Sequence, residues 1–166
     1  MSRPMLDTSV KELEASFHFN VSVPFELSRL AVPHMLAVGG GSILNIGSVA
    51  GRNANRGGLT HSLTKAALAQ LTKLMASELA PRIRVNAVLP GAIETAALKG
   101  WLDTKGASAR DEMVRNTPMR RNGVPEDVAP AVLYLVSPAA SWVTGKLVEV
   151  DGGALSDVLP SQLPDL

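Results

Sequence analysis

The sequence predicts an α/β fold, a parallel sheet of about three strands flanked by helices, and three observations predict it. Hydrophobic residues make up 46% of the chain but aromatic residues only 4%, so its core is built from Ala, Val, Leu and Ile, an alphabet suited to layered helix-and-sheet packing. Residues 42–47 and 83–89 are nearly continuous apolar runs of strand length, as in strands buried on both faces of a parallel sheet. Between them lies a helical stretch, and strand, helix and strand within about 50 residues make a βαβ unit with a right-handed crossover. At 166 residues the chain suits one domain, burying roughly 70% of its unfolded surface.

Taken in order, Ser9 and Glu12 have capping-box spacing, and Val10, Leu13, Phe17 and Val21 follow at helical steps. This predicts a helix from Ser9 towards Met35, kinked at Pro24, where proline removes a hydrogen bond and clashes with the preceding turn. Three glycines at 39–41 break the chain before the first strand. The loop 48–58 holds Gly51, Asn53, Asn55, Gly57 and Gly58, too flexible in composition for a regular element. Thr60 is the expected cap of the next helix, whose Leu63, Ala67, Leu71, Leu74 and Leu79 predict one buried face. Pro81 ends that helix, and Pro90-Gly91 stops the second strand.

Residues 92–117 form a long, partly structured connection of the kind that often acts as a lid, with a short helix capped by Ser108 and Asp111. Pro125, followed by Glu126 and Asp127 near the positive helix end, starts a helix to about Val136, which Pro130 is expected to distort. A turn at Ser137-Pro138 leads to a last strand at 147–150, closed by Asp151-Gly152-Gly153. Residues 1–153 read as a single domain, and 154–166, with two prolines, as a loosely held tail.

Composition excludes several functions. A net charge of +1 with scattered basic residues argues against nucleic-acid or membrane-surface partners. With no cysteine there is no disulfide framework, redox thiol or Cys-type zinc site, and His18, His34 and His61 lack metal-ligand spacing, so no metal is expected. The first 20 residues do not read as a signal peptide, and no apolar run of about 18 or more could span a bilayer, which makes a cytoplasmic protein the expectation. Gly47-Ser48-Val49-Ala50-Gly51 is not the GxSxG elbow of a serine hydrolase.

Ser48, position 61 and Lys65 carry the most specific pattern. They resemble the short-chain dehydrogenase/reductase family, NAD(P)-dependent oxidoreductases on a Rossmann fold, whose signature is a serine after a strand, a tyrosine thirteen positions on and a lysine four after that. Here His61 stands at the tyrosine position. Asn20 falls in the helix where the family carries a fourth catalytic residue, and Pro90-Gly91-Ala92-Ile93-Glu94-Thr95 is similar to its PGxxxT loop. Residues 120–127 and 137–153 resemble its closing segments, most like those of bacterial hydroxysteroid and 3-oxoacyl reductases.

The resemblance implies Asn20, Ser48, His61 and Lys65 as the catalytic set, with Pro90, Gly91, Ile93 and Thr95 touching NAD or NADP. It implies a small alcohol or carbonyl substrate, and a homo-oligomer or pairing with a related full-length chain. The family's opening TGxxxGxG phosphate loop and its NNAG stretch are not among these residues, and the glycines at 39–41 precede a strand rather than follow one. The implied fold is therefore an incomplete Rossmann-type three-layer domain with weak cofactor binding. Its first strand would present an apolar edge, so folding is expected to be marginal or association-dependent. The segment from Met1 to Met5 leads directly into an internal helix of the family pattern, as though translation began at an interior methionine; a misassigned start, a gene remnant and a genuine short product stay open.

His61 reads either as a solvated helix-start histidine or as a proton carrier. A Lys65 ammonium one turn away would keep its ring neutral, and imidazole stops short of where a phenol oxygen would sit. Misplacing a catalytic group by ~1 Å can cost ~10²-fold, so impaired catalysis is expected. A non-enzymatic association module is the alternative.

Overall fold

The computed structural model describes residues 3–154. Ser9 caps the first helix, α1 (Val10–Phe17), as its spacing predicts: the Glu12 N–H donates to Ser9 Oγ at 3.2 Å, and the Ser9 N–H donates to Glu12 Oε2 at 2.8 Å. Pro24 cannot donate to the carbonyl of Asn20, four residues earlier. The helix widens before that point into a π turn, His18–Ser22, with the Val23 N–H reaching back to the His18 carbonyl, and resumes as α2 (Val23–Ala37). The expected kink at Pro24 is thus a widened turn just ahead of it.

Three strands follow the predicted runs: β1 (Gly41–Ile46), β2 (Ile83–Pro90) and β3 (Leu147–Val150). They lie in the order β1-β2-β3, all parallel, with Ile46 opposite Val88 and Pro90 opposite Val150. All three therefore end at the same edge of the sheet. β2 is central, and Val85, Ala87, Val88 and Leu89 are wholly buried. Asn86 interrupts this apolar run without cost, because its amide donates to the Val143 carbonyl at 2.9 Å and accepts the Lys146 N–H at 3.0 Å.

Alternation along β2 separates two helical layers. Ile83 and Val85 pack with Met75 and Ala76 of α3 (Leu59–Leu79) and with Val32 and Met35 of α2. Arg84, on the opposite face, donates to the carbonyls of Leu135, Ser137 and Val143 and closes the end of α6 (Pro125–Val136). Helix, sheet and helix make the three-layer, Rossmann-like α/β arrangement that the sequence predicts.

Four expectations need correction. α3 is rotated from the expected face: Thr64, Leu68, Thr72, Met75 and Ala76 are buried and Leu71 and Leu79 pack against the core as expected, whereas Leu63 and Leu74 are 50% and 52% exposed. Polar Thr64 and Thr72 can be interior because each hydroxyl donates to the carbonyl four residues back, at 2.8 Å. α3 starts at Leu59, with Gly58 in the cap position and Thr60 already inside the first turn, and the Asn55 side chain packs beside Gly58 and accepts the Ser62 hydroxyl.

In residues 92–117 there are two helices rather than one, α4 (Ala96–Lys105) and α5 (Ala107–Asn116). Thr95 caps α4 by accepting the Leu98 N–H, and Gly106, at φ 85°, turns the chain between them, leaving Ser108 inside α5. α6 runs through Pro130 unbroken, since that residue sits on the exposed side where water can take the carbonyl it leaves unpaired. Of the expected tail, residues 155–166 lie outside the described residues.

Candidate active site

The site is assembled at the carboxyl end of β1. Gly47 continues the sheet, its N–H donating to the Val88 carbonyl at 2.8 Å, and Ser48 opens a short 3-10 turn, Val49–Gly51. The Ala50 N–H donates to Ser48 Oγ at 3.1 Å, which occupies an acceptor position and leaves the hydroxyl proton free to point away. Gly51 brings this turn onto α3: a Cβ there would meet the Lys65 carbonyl carbon and the Ala66 nitrogen, both at 2.8 Å. No other residue allows that approach.

Lys65 completes the junction. Its ammonium donates to the Ile46 carbonyl at 3.0 Å, at the end of β1 and two residues before Ser48. Burial lowers the Lys65 pKa from its ordinary value. His61 lies one helical turn earlier, and its pKa is also lowered, first by partial burial and then by the Lys65 charge. At neutral pH the imidazole is neutral and the ammonium charged.

Asn20 reaches the same helix from the π turn. Its Nδ2 donates to the Ser16 carbonyl at 3.1 Å and towards Ser16 Oγ at 3.4 Å. Ser16 Oγ in turn lies 3.3 Å from Thr64 Oγ1 and 3.4 Å from the Thr60 carbonyl. Thr64 in turn donates to the Thr60 carbonyl at 2.8 Å, so both hydroxyls converge on the first turn of α3. The polar chain therefore runs from Asn20 through Ser16 to the turn of α3 that carries His61. Ser16, Thr64 and Gly51 were not legible as site residues, since a serine, a threonine and a loop glycine have no signature of their own.

Pro90 ends β2, and Gly91, Ile93 and Thr95 follow it at the same edge of the sheet. The Gly91 N–H donates to the Val150 carbonyl at 3.0 Å, and a Cβ on Gly91 would meet Asp151 Cα at 2.8 Å. Ile93 pairs with Gly123 in an isolated parallel bridge. Thr95 Oγ accepts the Leu98 N–H at 3.3 Å and keeps its proton to donate. In open parallel sheets, ligands bind beyond the carboxyl ends of the strands, where all these groups lie.

The Lys65 ammonium with the Ser48 and Thr95 hydroxyls matches the hydroxyl-rich nicotinamide ribose end of a dinucleotide. Among the described residues no glycine-rich loop opens a helix after a strand, so these residues fit that half of the cofactor and not its pyrophosphate. The described residues also contain no group of three His, Asp or Glu able to hold a metal ion, and no helix long and apolar enough to cross a membrane.

Comparison with known proteins gives the family. A family model described as enoyl-(acyl carrier protein) reductase matches residues 1–154. An oxidoreductase of Mycobacterium tuberculosis is 47% identical over 167 aligned positions, covering 100% of this chain and 63% of that protein. The 7alpha-hydroxysteroid dehydrogenase of Escherichia coli K12 is 40% identical over 153 positions, covering 92% of this chain and 59% of that protein. A solved 7 alpha-hydroxysteroid dehydrogenase, complexed with NADH and 7-oxo glycochenodeoxycholic acid, superposes with a TM-score of 0.88 at 39% identity, over 95% of this chain and 61% of that one. The chain thus spans about three fifths of the length of these relatives. With residues 1–154 matched as one block and relatives at 47% and 40% identity, the chain belongs to the short-chain dehydrogenase/reductase family.

Proposed function

We propose that this chain is an NAD(P)-dependent oxidoreductase of small alcohols and carbonyls whose catalysis is impaired by His61. One observation carries the reading: Gly51 and the Lys65–Ile46 hydrogen bond bring Ser48 and Lys65 together at the strand end where a dinucleotide would lie. When bound, reduced nicotinamide would supply hydride to the carbonyl carbon. The residues of this chain manage the oxygen. Ser48, its acceptor side engaged by the Ala50 N–H, offers its proton to that oxygen as a hydrogen bond.

The group at position 61 must then give a proton. A tyrosine beside Lys65 would do so as a phenol whose pKa the ammonium lowers from about 10. The same ammonium acts against His61, because it disfavours the protonated ring and leaves a poor acid at neutral pH. Asn20, through Ser16, would hold the turn of α3 that carries His61.

His61→Tyr tests this, measured as ketone-dependent NADH and NADPH oxidation by the polypeptide as its organism makes it. Turnover rising by about 10²-fold is expected from restoring the reach and the acid. No gain in a variant that binds NADH by equilibrium dialysis overturns the reading.

A second reading has its own observation. Phe19 is 74% exposed, and Phe17, Phe25, Leu27 and Leu30 on the same helical segment are exposed with it. This favours an association module that pairs with a second copy or a related full-length chain. Stable oligomers with no NADH binding would select it over the first.

A further inference from the structure

Helices α4 and α5 pack on each other around Leu102, Ala109 and Met113, with Leu98 and Trp101 and, from the loop before α4, Ala92 completing a small core. Their contacts with the other helices and strands are sparse. The position of this pair is therefore set where the chain enters and leaves it. The two roots are stitched together: the Glu94 N–H donates to the Gly123 carbonyl at 2.8 Å, and the Gly123 N–H donates to the Ala92 carbonyl at 2.9 Å.

Glu94 also joins the pair to its roots. Its carboxylate, only 23% exposed, takes an ion pair from the Arg110 guanidinium in α5 and a hydrogen bond from Asn122 Nδ2 at 3.3 Å in the second root. Asn122 is 6% exposed, and its Oδ1 has no hydrogen-bond partner among the described residues. Leaving a buried acceptor unpaired is costly, and turning the amide over would set its oxygen against the Glu94 carboxylate. The orientation of Asn122 is thus spent on holding Glu94.

We propose that Glu94 is a latch, a positioning residue that pins α5 through Arg110 to the loop at the end of β2 and so holds the α4–α5 lid down. This rests on the proposed function and on reading residues 92–117, the long connection that follows β2, as the cover of its substrate side. Released, the lid keeps its own core and swings on its two roots. A partly exposed ion pair is weakened by salt, so lid opening becomes sensitive to ionic strength.

Amide hydrogen exchange followed by mass spectrometry tests the latch without requiring catalysis, so its failure is distinct from failure of the enzymatic reading. In Glu94→Gln, residues 107–116 should exchange about two- to fivefold faster than in the wild type, with β2 unchanged. Arg110→Gln should reproduce this from the lid side, and the double variant should be no faster than either single one. Raising salt from about 0.1 M to about 1 M should accelerate the wild-type lid and leave the variants unaffected. Unchanged exchange in both single variants, additive effects in the double variant, or equal acceleration in β2 would overturn the proposal.

Discussion

At the scale of single residues, the chemistry turns on one pair. Lys65 is held by the Ile46 carbonyl at 3.0 Å, so its charge cannot move away from His61 one turn earlier. Burial and that charge both lower the His61 pKa, and the ring takes a proton only as pH falls below its ordinary value of about 6.5. In Lys65→Met the repulsion is gone, so the His61 pKa should rise while staying below the free value because burial remains. Titration of the His61 ring protons by NMR measures this, and an unchanged pKa would show that Lys65 does not act on the ring. The pattern Ser48, His61, Lys65 was readable from the family it resembles, and the electrostatic conflict from the one-turn spacing of His61 and Lys65. What spacing could not show was the hydroxyl chain through Ser16 and Thr64, which joins residues 48 positions apart in sequence.

At the scale of elements, Gly51 decides whether the site exists. Its Cα lies so close to α3 that a methyl group would meet backbone atoms at 2.8 Å, and backbone cannot rotate aside as a side chain can. Gly51→Ala should therefore push the Ser48 turn off Lys65 and cost about 1–3 kcal/mol, the usual penalty for overpacking. Urea unfolding would read that loss, and an unchanged midpoint would mean that the turn has slack. The elements themselves were well announced: the Ser9 capping box, the two apolar runs and Pro125 each begin an element where local chemistry predicts. α4 was missed because its cap, Thr95, lies inside the PGxxxT loop and its first turn carries no acidic residue.

For the whole molecule, exposed apolar surface is the outstanding feature. Phe17, Phe19, Phe25, Leu27 and Leu30 remain uncovered along α1, the π turn and α2, and the outer edge of β1 has no neighbouring strand among the described residues. Both features favour association, the first by apolar burial and the second by backbone pairing. The thermal midpoint should accordingly rise with protein concentration, as mass action requires when only the folded chain associates. A sharp transition independent of concentration, in a protein that sediments as a monomer, would contradict this.

The sequence by itself determined the layer architecture, because period and composition are local properties that survive without a third dimension, and it carried the motifs through which the chain resembles its family. Only the tertiary structure decided which face of α3 is buried. Leu63 and Leu74 would satisfy an apolar face as well as Leu68 and Met75 do, and the choice goes to the face on which Thr64 and Thr72 bond their own helix and Asn45 of β1 donates to Thr72 at 2.9 Å. It likewise decided that Glu94 meets Arg110 and Asn122, since those contacts join residues 16 and 28 positions apart that only the folded chain brings together.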